Sequence, residues 1–287
     1  MERSAGSAMR IPWRLKSRAF RLVDLTQGEK LLYLLQKHVT RRAGQRIGGV
    51  HPAWKMHARA IERLERKPVL FEFGAGKSLA QNLFLGPMVE RQILIDRDPM
   101  LDPALVERAR ADLQRLGLPL TAEGPIRSVT DLKRYGIDYH APCDAAATGL
   151  PAGSIDICVS TYTFEHIPEA AIPPIFAEIR RILVPGGLVS ARIDYSDHYA
   201  HTDPAIGKLN YLRFDADAWA RYNHRCHYQN RLRHHEYREC FRGAGFEILE
   251  DRPVMKAGPI APEIAARFTD APKSWAANLG WFLLRKA

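Results

Sequence analysis

The chain carries a glycine turn of a kind that binds small charged ligands. Residues 69–80 read VLFEFGAGKSLA, an apolar run with one acid, then two glycines one residue apart, then a helical pattern. Glycines where a strand meets a helix let backbone N–H groups approach a ligand closely. Nucleoside triphosphates, dinucleotides and S-adenosylmethionine are all bound by such turns, so the turn alone predicts a ligand site without choosing among them.

The residues around the turn fit two of these three ligand classes poorly. The phosphate-binding pattern GxxxxGK needs its first glycine at position 71, but Phe71 lies inside the apolar run. The dinucleotide pattern GxGxxG fits Gly74 and Gly76, but Leu79 stands where a third glycine allows close helix packing. Glu72 adds a negative charge, which repels phosphate and attracts an ammonium group. S-adenosylmethionine has an ammonium, a sulfonium and no phosphate, and is favoured over a nicotinamide dinucleotide.

A second acid follows the turn at the spacing of a ribose ligand. Asp96 ends the next apolar run, about twenty residues beyond the glycines. A carboxylate at that position suits the ribose hydroxyls of either a dinucleotide or an adenosyl ligand. Asp96 therefore supports a nucleoside-containing cofactor.

Histidines that could act as a base concentrate in the second half of the chain. His166 follows an apolar run, and six of the eleven histidines lie between residues 198 and 235. An imidazole can take a proton from a hydroxyl or ammonium group at neutral pH. We expect the catalytic base to be His198, His201 or His166. The histidines and cysteines show no zinc-site spacing, so we expect no metal.

The segment 194–235 is longer than a simple connection between two elements requires. Tyr195 lies near its start, and Arg231 and Arg233 lie near its end. The guanidinium groups of the two arginines suit a carboxylate or phosphate. We expect this segment to be an acceptor-recognition insert in which these three residues bind an acceptor that could be anionic.

Strand-like apolar runs alternate with helical patterns, which predicts a parallel sheet covered by helices on both faces. Residues 117–138 show no clear pattern, and Pro185, Gly186 and Gly187 stop the helical pattern before them. The expected strands are 69–73, 93–95, 155–160, 188–193, 246–249 and 281–284, and helical patterns lie at 31–39, 54–64, 105–116 and 172–183.

The composition is that of a soluble globular protein with excess positive charge. The 287 residues are 46% hydrophobic and 26% charged, with a formal net charge of +10. Such a charge is compatible with an anionic substrate, a nucleic acid or a membrane surface. The four cysteines form no CxxC pair, and no apolar stretch approaches the roughly 20 residues that span a bilayer. We expect a cytoplasmic protein whose basic N-terminus, with Trp13, Phe20 and Val23, packs on the body or contacts a membrane surface.

Several segments together resemble the class I S-adenosylmethionine-dependent methyltransferases. The similarity covers roughly residues 65–194 and resumes at 244–249. In family order the matching segments are EFGAG (72–76), LIDRDPML (94–101), CDAAATGLPAGSIDICVS (143–160), TFEHIP (163–168), RRILVPGGLV (180–189) and AGFEIL (244–249). Ser78 departs from the family, which often has glycine there.

The resemblance implies an α/β fold, a Rossmann-like doubly wound sheet of seven mostly parallel strands with helices on both faces. It divides the chain into an N-terminal helical extension over 1–65 and a cofactor-binding domain over 66–287. Its expected cofactor residues are Gly74, Ala75 and Gly76 under the methionyl group, Glu72 at the ammonium, Asp96 and Arg97 at the ribose, Asp144 and Ala145 at the adenine, and Thr161 beside them.

The resemblance also implies the reaction, methyl transfer from S-adenosylmethionine to oxygen or nitrogen of a small-molecule, lipid-linked or glycan acceptor. No Asp/Asn-Pro-Pro-Tyr element and no RNA-binding module is recognisable, so a nucleic-acid acceptor is disfavoured. The alternatives are an NAD(P)-dependent oxidoreductase and a non-catalytic adenosyl-binding scaffold recruited to nucleic acid or membrane.

Overall fold

A computed structural model describes residues 11–26, 46–255 and 260–287, and the helix expected over 31–39 lies outside these ranges. The described residues form one sheet of seven strands. The strands are β1 Val69–Phe73, β2 Arg91–Ile95, β3 Ile137–His140, β4 Ile155–Thr161, β5 Leu183–Asp194, β6 Phe246–Val254 and β7 Leu279–Lys286.

The order of the strands places a ligand crevice at one edge of the sheet. The order is β3-β2-β1-β4-β5-β7-β6, in which β1 to β5 are parallel and β7 is antiparallel to both β5 and β6. The direction of winding reverses between β1 and β4, and ligands bind outside the carboxyl ends of strands at such a reversal. The predicted Rossmann-like, mostly parallel fold is confirmed.

Helices cover both faces of the sheet. Asp102 caps the fourth helix by accepting a hydrogen bond from the backbone N–H of Ala104 at 3.0 Å, and Pro103 occupies its first position. The described helices are α1 Trp13–Thr26, α2 Pro52–Ile61, α3 Ala80–Leu85, α4 Pro103–Arg115, α5 Ile172–Ile182, α6 Ala216–Ala220, α7 His234–Gly243 and α8 Pro262–Arg267.

The central strands are apolar because both of their faces are buried. On β1, Leu70 packs into a cluster with α2, α3 and α4, while Phe71 points into a second cluster with α5 and α7. Both side chains have no exposed surface. This two-sided burial is characteristic of parallel sheets, and it fixes the strand ends that carry the glycine turn.

The N-terminal helix packs against the insert that follows β5. Trp13 and Phe20 of α1 are buried with Tyr199, Tyr211 and Trp219 of the insert. The two aromatic residues that suggested membrane contact therefore face the protein, and α1 packs on the body of the protein. Among the described helices, none is long and apolar enough to cross a membrane.

Two details of the sheet differ from the sequence prediction. The strand β3 lies at the end of the segment that showed no pattern. The sequence did not reveal it, because only Ile137 of its four residues is buried and so few residues cannot show an alternating pattern. The helix α5 ends at Ile182, and β5 begins directly at Leu183, so Pro185, Gly186 and Gly187 lie within the strand rather than before it.

Candidate active site

The turn after β1 presents backbone instead of side chains at the carboxyl edge of the sheet. Gly74 and Gly76 have φ of +71° and +76°, a region that favours glycine. A Cβ at Gly74 would lie 2.4 Å from Cγ2 of Thr163, while a Cβ at Gly76 would meet no described atom within 4 Å. The backbone around Gly76 thus faces open space, which fits a cofactor approaching the turn closely.

Asp96 ties the turn to the two neighbouring strands. Its carboxylate accepts hydrogen bonds from the backbone N–H of Gly76, at 3.1 Å to Oδ2, and from the hydroxyl of Tyr139, at 2.9 Å. The residue is only 2% exposed, and burial raises the pKa of its carboxyl. Asp96 therefore lies just beyond the end of β2, where the sequence predicts a residue that binds the ribose. Asp96 also holds the glycine turn in place.

Glu72 lies beneath the turn and is occupied by two amides. Gln81 donates to Oε1 at 2.9 Å and Asn82 donates to Oε2 at 2.6 Å. The side chain is 3% exposed, and burial raises its pKa to about 8 despite these hydrogen bonds. A bound ammonium would favour the ionised carboxylate, and the role of Glu72 at the ammonium stays a prediction.

A chain of buried hydrogen bonds runs from β7 to Glu72. The hydroxyl of Thr161 donates to Gln81, so His57 must donate to Thr161 through Nε2 and accept from Ser190 through Nδ1. Burial lowers the pKa of His57 to about 3, which keeps the ring neutral as this arrangement requires. Each residue donates a hydrogen bond to the next one in the order Trp281, Ser190, His57, Thr161, Gln81 and Glu72.

The remaining predicted cofactor residues differ in their surroundings. The loop with Asp144 and Ala145 is held beside β2 because the N–H of Cys143 donates to the carbonyl of Asp96 at 2.9 Å. Asp144 is exposed and accepts from the N–H of Ala146 at 2.8 Å. The side chain of Arg97 is 84% exposed. The structure thus brings Asp144 and Ala145 to the crevice and leaves Arg97 in solvent.

Arg192, near the end of β5, is a buried cation that has no counter-ion among the described residues. It is 7% exposed, and its Nε has no hydrogen-bond partner among the described residues. Its backbone pairs with Thr161, and its carbonyl accepts from the N–H of Tyr162, which adopts φ of +56°. A buried guanidinium without a carboxylate is costly unless a ligand supplies the negative charge.

The three predicted base histidines lie together beyond β4 and β5. The rings of His166 and His198 are 4.9 Å apart, and His198 stacks on His201 at 5.1 Å. Burial and the neighbouring imidazoles lower the pKa of His198 to about 2. His201 is exposed, with Nε2 3.7 Å from the carboxylate of Asp194. The same Nε2 lies 3.1 Å from the hydroxyl of Ser196, and the choice of base among the three histidines stays a prediction.

Two of the predicted acceptor ligands are core residues. Arg233 is 1% exposed and donates to the carbonyls of Tyr195 and Trp275, at 2.9 and 2.7 Å, and to the hydroxyl of Tyr211. The hydroxyl of Tyr195 is hydrogen-bonded to His234 at 3.0 Å. We correct the prediction for both residues, because their polar groups already have partners inside the protein.

Arg231 is half-buried, and its Nη1 donates to the carbonyl of Phe214. This contact holds two parts of the insert together. An acceptor-binding role for Arg231 would require that contact to be given up.

Sequence reasoning overlooked several polar residues at this edge. Glu165 belongs to TFEHIP, of which only His166 was considered, and Arg192 lies in an apolar run that was interpreted as a strand. A charged residue near the end of an otherwise apolar central strand was an available signal for a ligand site. Tyr139 lies just beyond the segment without a pattern and gave no such signal.

Comparison with known proteins agrees with this geometry. Residues 71–191 match the model of a family described as a methyltransferase domain, a segment that runs from β1 into β5 and contains the turn and Asp96. No curated protein sequence matches the chain. The match favours S-adenosylmethionine over the nicotinamide alternative.

Two solved structures to which the chain is similar, at low sequence identity, are methyltransferases. One is the 1,6-didemethyltoxoflavin-N1-methyltransferase of Burkholderia thailandensis with bound S-adenosylhomocysteine, at 14% identity and a TM-score of 0.51, covering 100% of this chain and 93% of that chain. Another is an S-adenosylmethionine-dependent methyltransferase of Methanosarcina mazei, at 14% identity and a TM-score of 0.46, covering 83% and 98%. The first likeness shows the fold alone.

Proposed function

We propose that this chain, an S-adenosylmethionine-dependent methyltransferase, methylates an oxygen or nitrogen of a small anionic molecule. The observation that carries the proposal is Arg192, a buried guanidinium at the carboxyl edge of the sheet that meets no counter-ion in the part of the chain that the structure describes. A carboxylate or phosphate on the acceptor would supply the missing charge through two parallel hydrogen bonds.

The chemistry is an in-line displacement at the methyl carbon. A lone pair of the acceptor attacks this carbon, the carbon–sulfur bond breaks, and the sulfonium becomes the neutral thioether of S-adenosylhomocysteine. The acceptor loses one proton when its nucleophile is a hydroxyl or an ammonium group. The cofactor supplies the reactive methyl group, so the protein mainly aligns the two molecules.

We assign the cofactor contacts to residues at the turn and at the end of β2. Gly74, Ala75 and Gly76 would lie against the methionyl group, whose ammonium would pair with Glu72. Asp96 would accept hydrogen bonds from the ribose hydroxyls. These roles agree with the open space beside Gly76 and with the burial of both acids at the carboxyl edge.

The surroundings of Arg192 suit an acceptor site. His51, just before α2, lies on the same side of the sheet, and its ring is 6.1 Å from that of Tyr162. The positive charge of Arg192 contributes to the lowered pKa of His51 after burial. An anionic acceptor beside Arg192 would relieve this unfavourable electrostatic environment.

We favour His201 as the base. Its imidazole is exposed, and the nearby carboxylate of Asp194 supports the protonated form that follows proton transfer. Replacing His201 with Gln should lower kcat by about 10²-fold or more and leave cofactor affinity unchanged. An unchanged kcat would remove His201 from the mechanism.

The acceptor proposal is tested by matched pairs of acceptors. Formation of S-adenosylhomocysteine should be measured with hydroxy and amino acids and with their uncharged amides. Arg192→Gln should lower kcat/KM for the acids by about 10- to 100-fold, the scale of lost hydrogen bonds between charged groups, and abolish the preference over the amides.

Arg285 provides the control, because it is an arginine on β7 with a surface partner, Glu247. Arg285→Gln should leave the preference unchanged. If Arg192→Gln instead weakens S-adenosylmethionine binding and spares acceptor selectivity, Arg192 binds the carboxylate of the cofactor and the anionic acceptor is refuted.

A further inference from the structure

We propose that Glu165, His166 and His198 form a binding site for a divalent transition-metal cation. One ligand atom from each side chain lies within 4.8 Å of the other two. Glu165 and His166 follow β4 and His198 follows β5, so the site lies at the carboxyl edge of the sheet. Two residues before Glu165, Thr163 covers the cofactor turn at Gly74.

Glu165 is a buried carboxyl whose negative charge would have little compensation inside the protein. It is 2% exposed, and its Oε2 has no hydrogen-bond partner among the described residues. Its Oε1 accepts one long hydrogen bond, 3.3 Å, from the N–H of Asp194. A buried carboxylate in this condition is stable when it is paired or coordinates a metal.

His166 is oriented as a metal ligand. Its Nδ1 lies 2.9 Å from the carbonyl of Tyr228 and must donate, because a carbonyl oxygen can only accept. The lone pair is then on Nε2. Metal-binding histidines commonly donate their other ring N–H to a backbone carbonyl, which fixes both the tautomer and the direction of the ring.

His198 completes the set from the other strand. It is 9% exposed. The carboxylate of Asp194 is 3.9 Å from its Nε2, and the ring of His227 is 6.0 Å away. The Nε2 of His227 is also buried without a described hydrogen-bond partner. His166 and His198 therefore each place a ring nitrogen close to the carboxylate of Glu165.

Two imidazole nitrogens and one carboxylate oxygen select the kind of cation. This donor set suits Zn²⁺, Fe²⁺ or Mn²⁺ better than Mg²⁺ or Ca²⁺, which prefer oxygen ligands. Ligands about 2.1 Å from an ion are about 3 to 3.5 Å apart in tetrahedral geometry, so a small contraction of the cluster would close the site. Three protein ligands leave positions open for an exogenous oxygen.

An open position gives the site a role that rests on the proposed function. A cation here would bind an acceptor oxygen as a Lewis acid and lower the pKa of its hydroxyl, which favours methylation on oxygen. Binding of the metal itself needs neither acceptor nor turnover, so it can be measured separately.

The test is titration of Zn²⁺, and separately of Mn²⁺, into protein stripped with a chelator. Isothermal calorimetry should show one equivalent bound by the wild type. Glu165→Gln and His166→Gln should each weaken binding by about 100-fold or more. Co²⁺ should give visible absorption bands in the wild type that both variants lose. Circular dichroism checks that the variants are folded.

His140→Ala is the matched control. His140 is an exposed histidine on the edge strand β3, which β2 and β1 separate from β4. It should bind the metal as the wild type does. The inference is overturned if the wild type shows no saturable binding, or if all three variants bind equally. If the metal binds but no anionic acceptor is methylated, the proposed function fails while the metal site stands.

Discussion

The buried carboxyl of Glu72 should make the stability of this protein depend on pH. Its pKa is raised from 4.5 to about 8 by burial and, to a smaller extent, by the charge of Asp96. Between these values the folded protein holds a proton that the unfolded chain has released. The free energy of unfolding therefore falls as pH rises, by about 1.4 kcal/mol per pH unit and by about 5 kcal/mol in total.

Glu72→Gln keeps the shape of the side chain and removes its titration. We expect the unfolding free energy of the variant, minus that of the wild type, to increase by about 1.4 kcal/mol per pH unit between pH 5 and 8. The new amide cannot accept every hydrogen bond that Asn82 and Gln81 donate to Glu72. This loss changes the unfolding free energy by the same amount at every pH, so the slope reports only the ionisation of Glu72. Urea unfolding followed by circular dichroism at four pH values measures it.

Glu90 is exposed, and Glu90→Gln is the control for the chemical change from glutamate to glutamine. Saturating S-adenosylmethionine should flatten the slope for Glu72→Gln, because the ammonium of the cofactor favours the ionised carboxylate in the wild type. A flat difference without cofactor would refute the reasoning, since Glu72 would then ionise alike in the folded and unfolded chains.

Three further outcomes are expected from single contacts. Gly74→Ala should abolish cofactor binding because its Cβ meets Thr163, and Thr163→Ala in the same chain should restore part of that binding. Gly76→Ala should cost about 1–2 kcal/mol of stability for its positive φ and should also weaken cofactor binding, because its Cβ would enter the space assigned to the cofactor. Calorimetry and urea unfolding measure these effects. Tyr139→Phe should weaken cofactor binding about three- to tenfold by removing a hydrogen bond to Asp96, and unchanged affinity would separate Tyr139 from the site. Arg233→Ala should lower stability by about 3 kcal/mol or more, because buried carbonyls lose their donor, and a variant as stable as the wild type would contradict a structural role.

The parts of the fold that could be predicted are those with a local signal. The turn at residues 74–76 combines an apolar strand, glycines and a helical pattern within twelve residues, and Asp96 directly follows the next apolar run. The strand β3 could not be found, because four residues with a single buried side chain carry too little alternation.

The roles of the arginines could not be predicted, because they depend on residues distant in the chain. Arg233 looked like an anion ligand, yet its partners come from residues 195, 211, 275 and 277, which meet only in the folded protein. Arg192 was hidden by the opposite effect. It lies in an apolar strand, and the lack of a partner for its Nε among the described residues becomes visible only when its neighbours are known.

The hydrogen-bond chain through His57 also limits how this protein can be divided. His57 belongs to α2, before the segment that resembles a methyltransferase, yet it has no exposed surface and joins Ser190 to Thr161. A fragment beginning at residue 66 would leave both hydroxyls without that partner and would open the core beside β5. We therefore expect that α2 cannot be removed without destabilising the sheet. An exchange of N-terminal segments between related proteins would have to keep His57, Ser190 and Thr161 together.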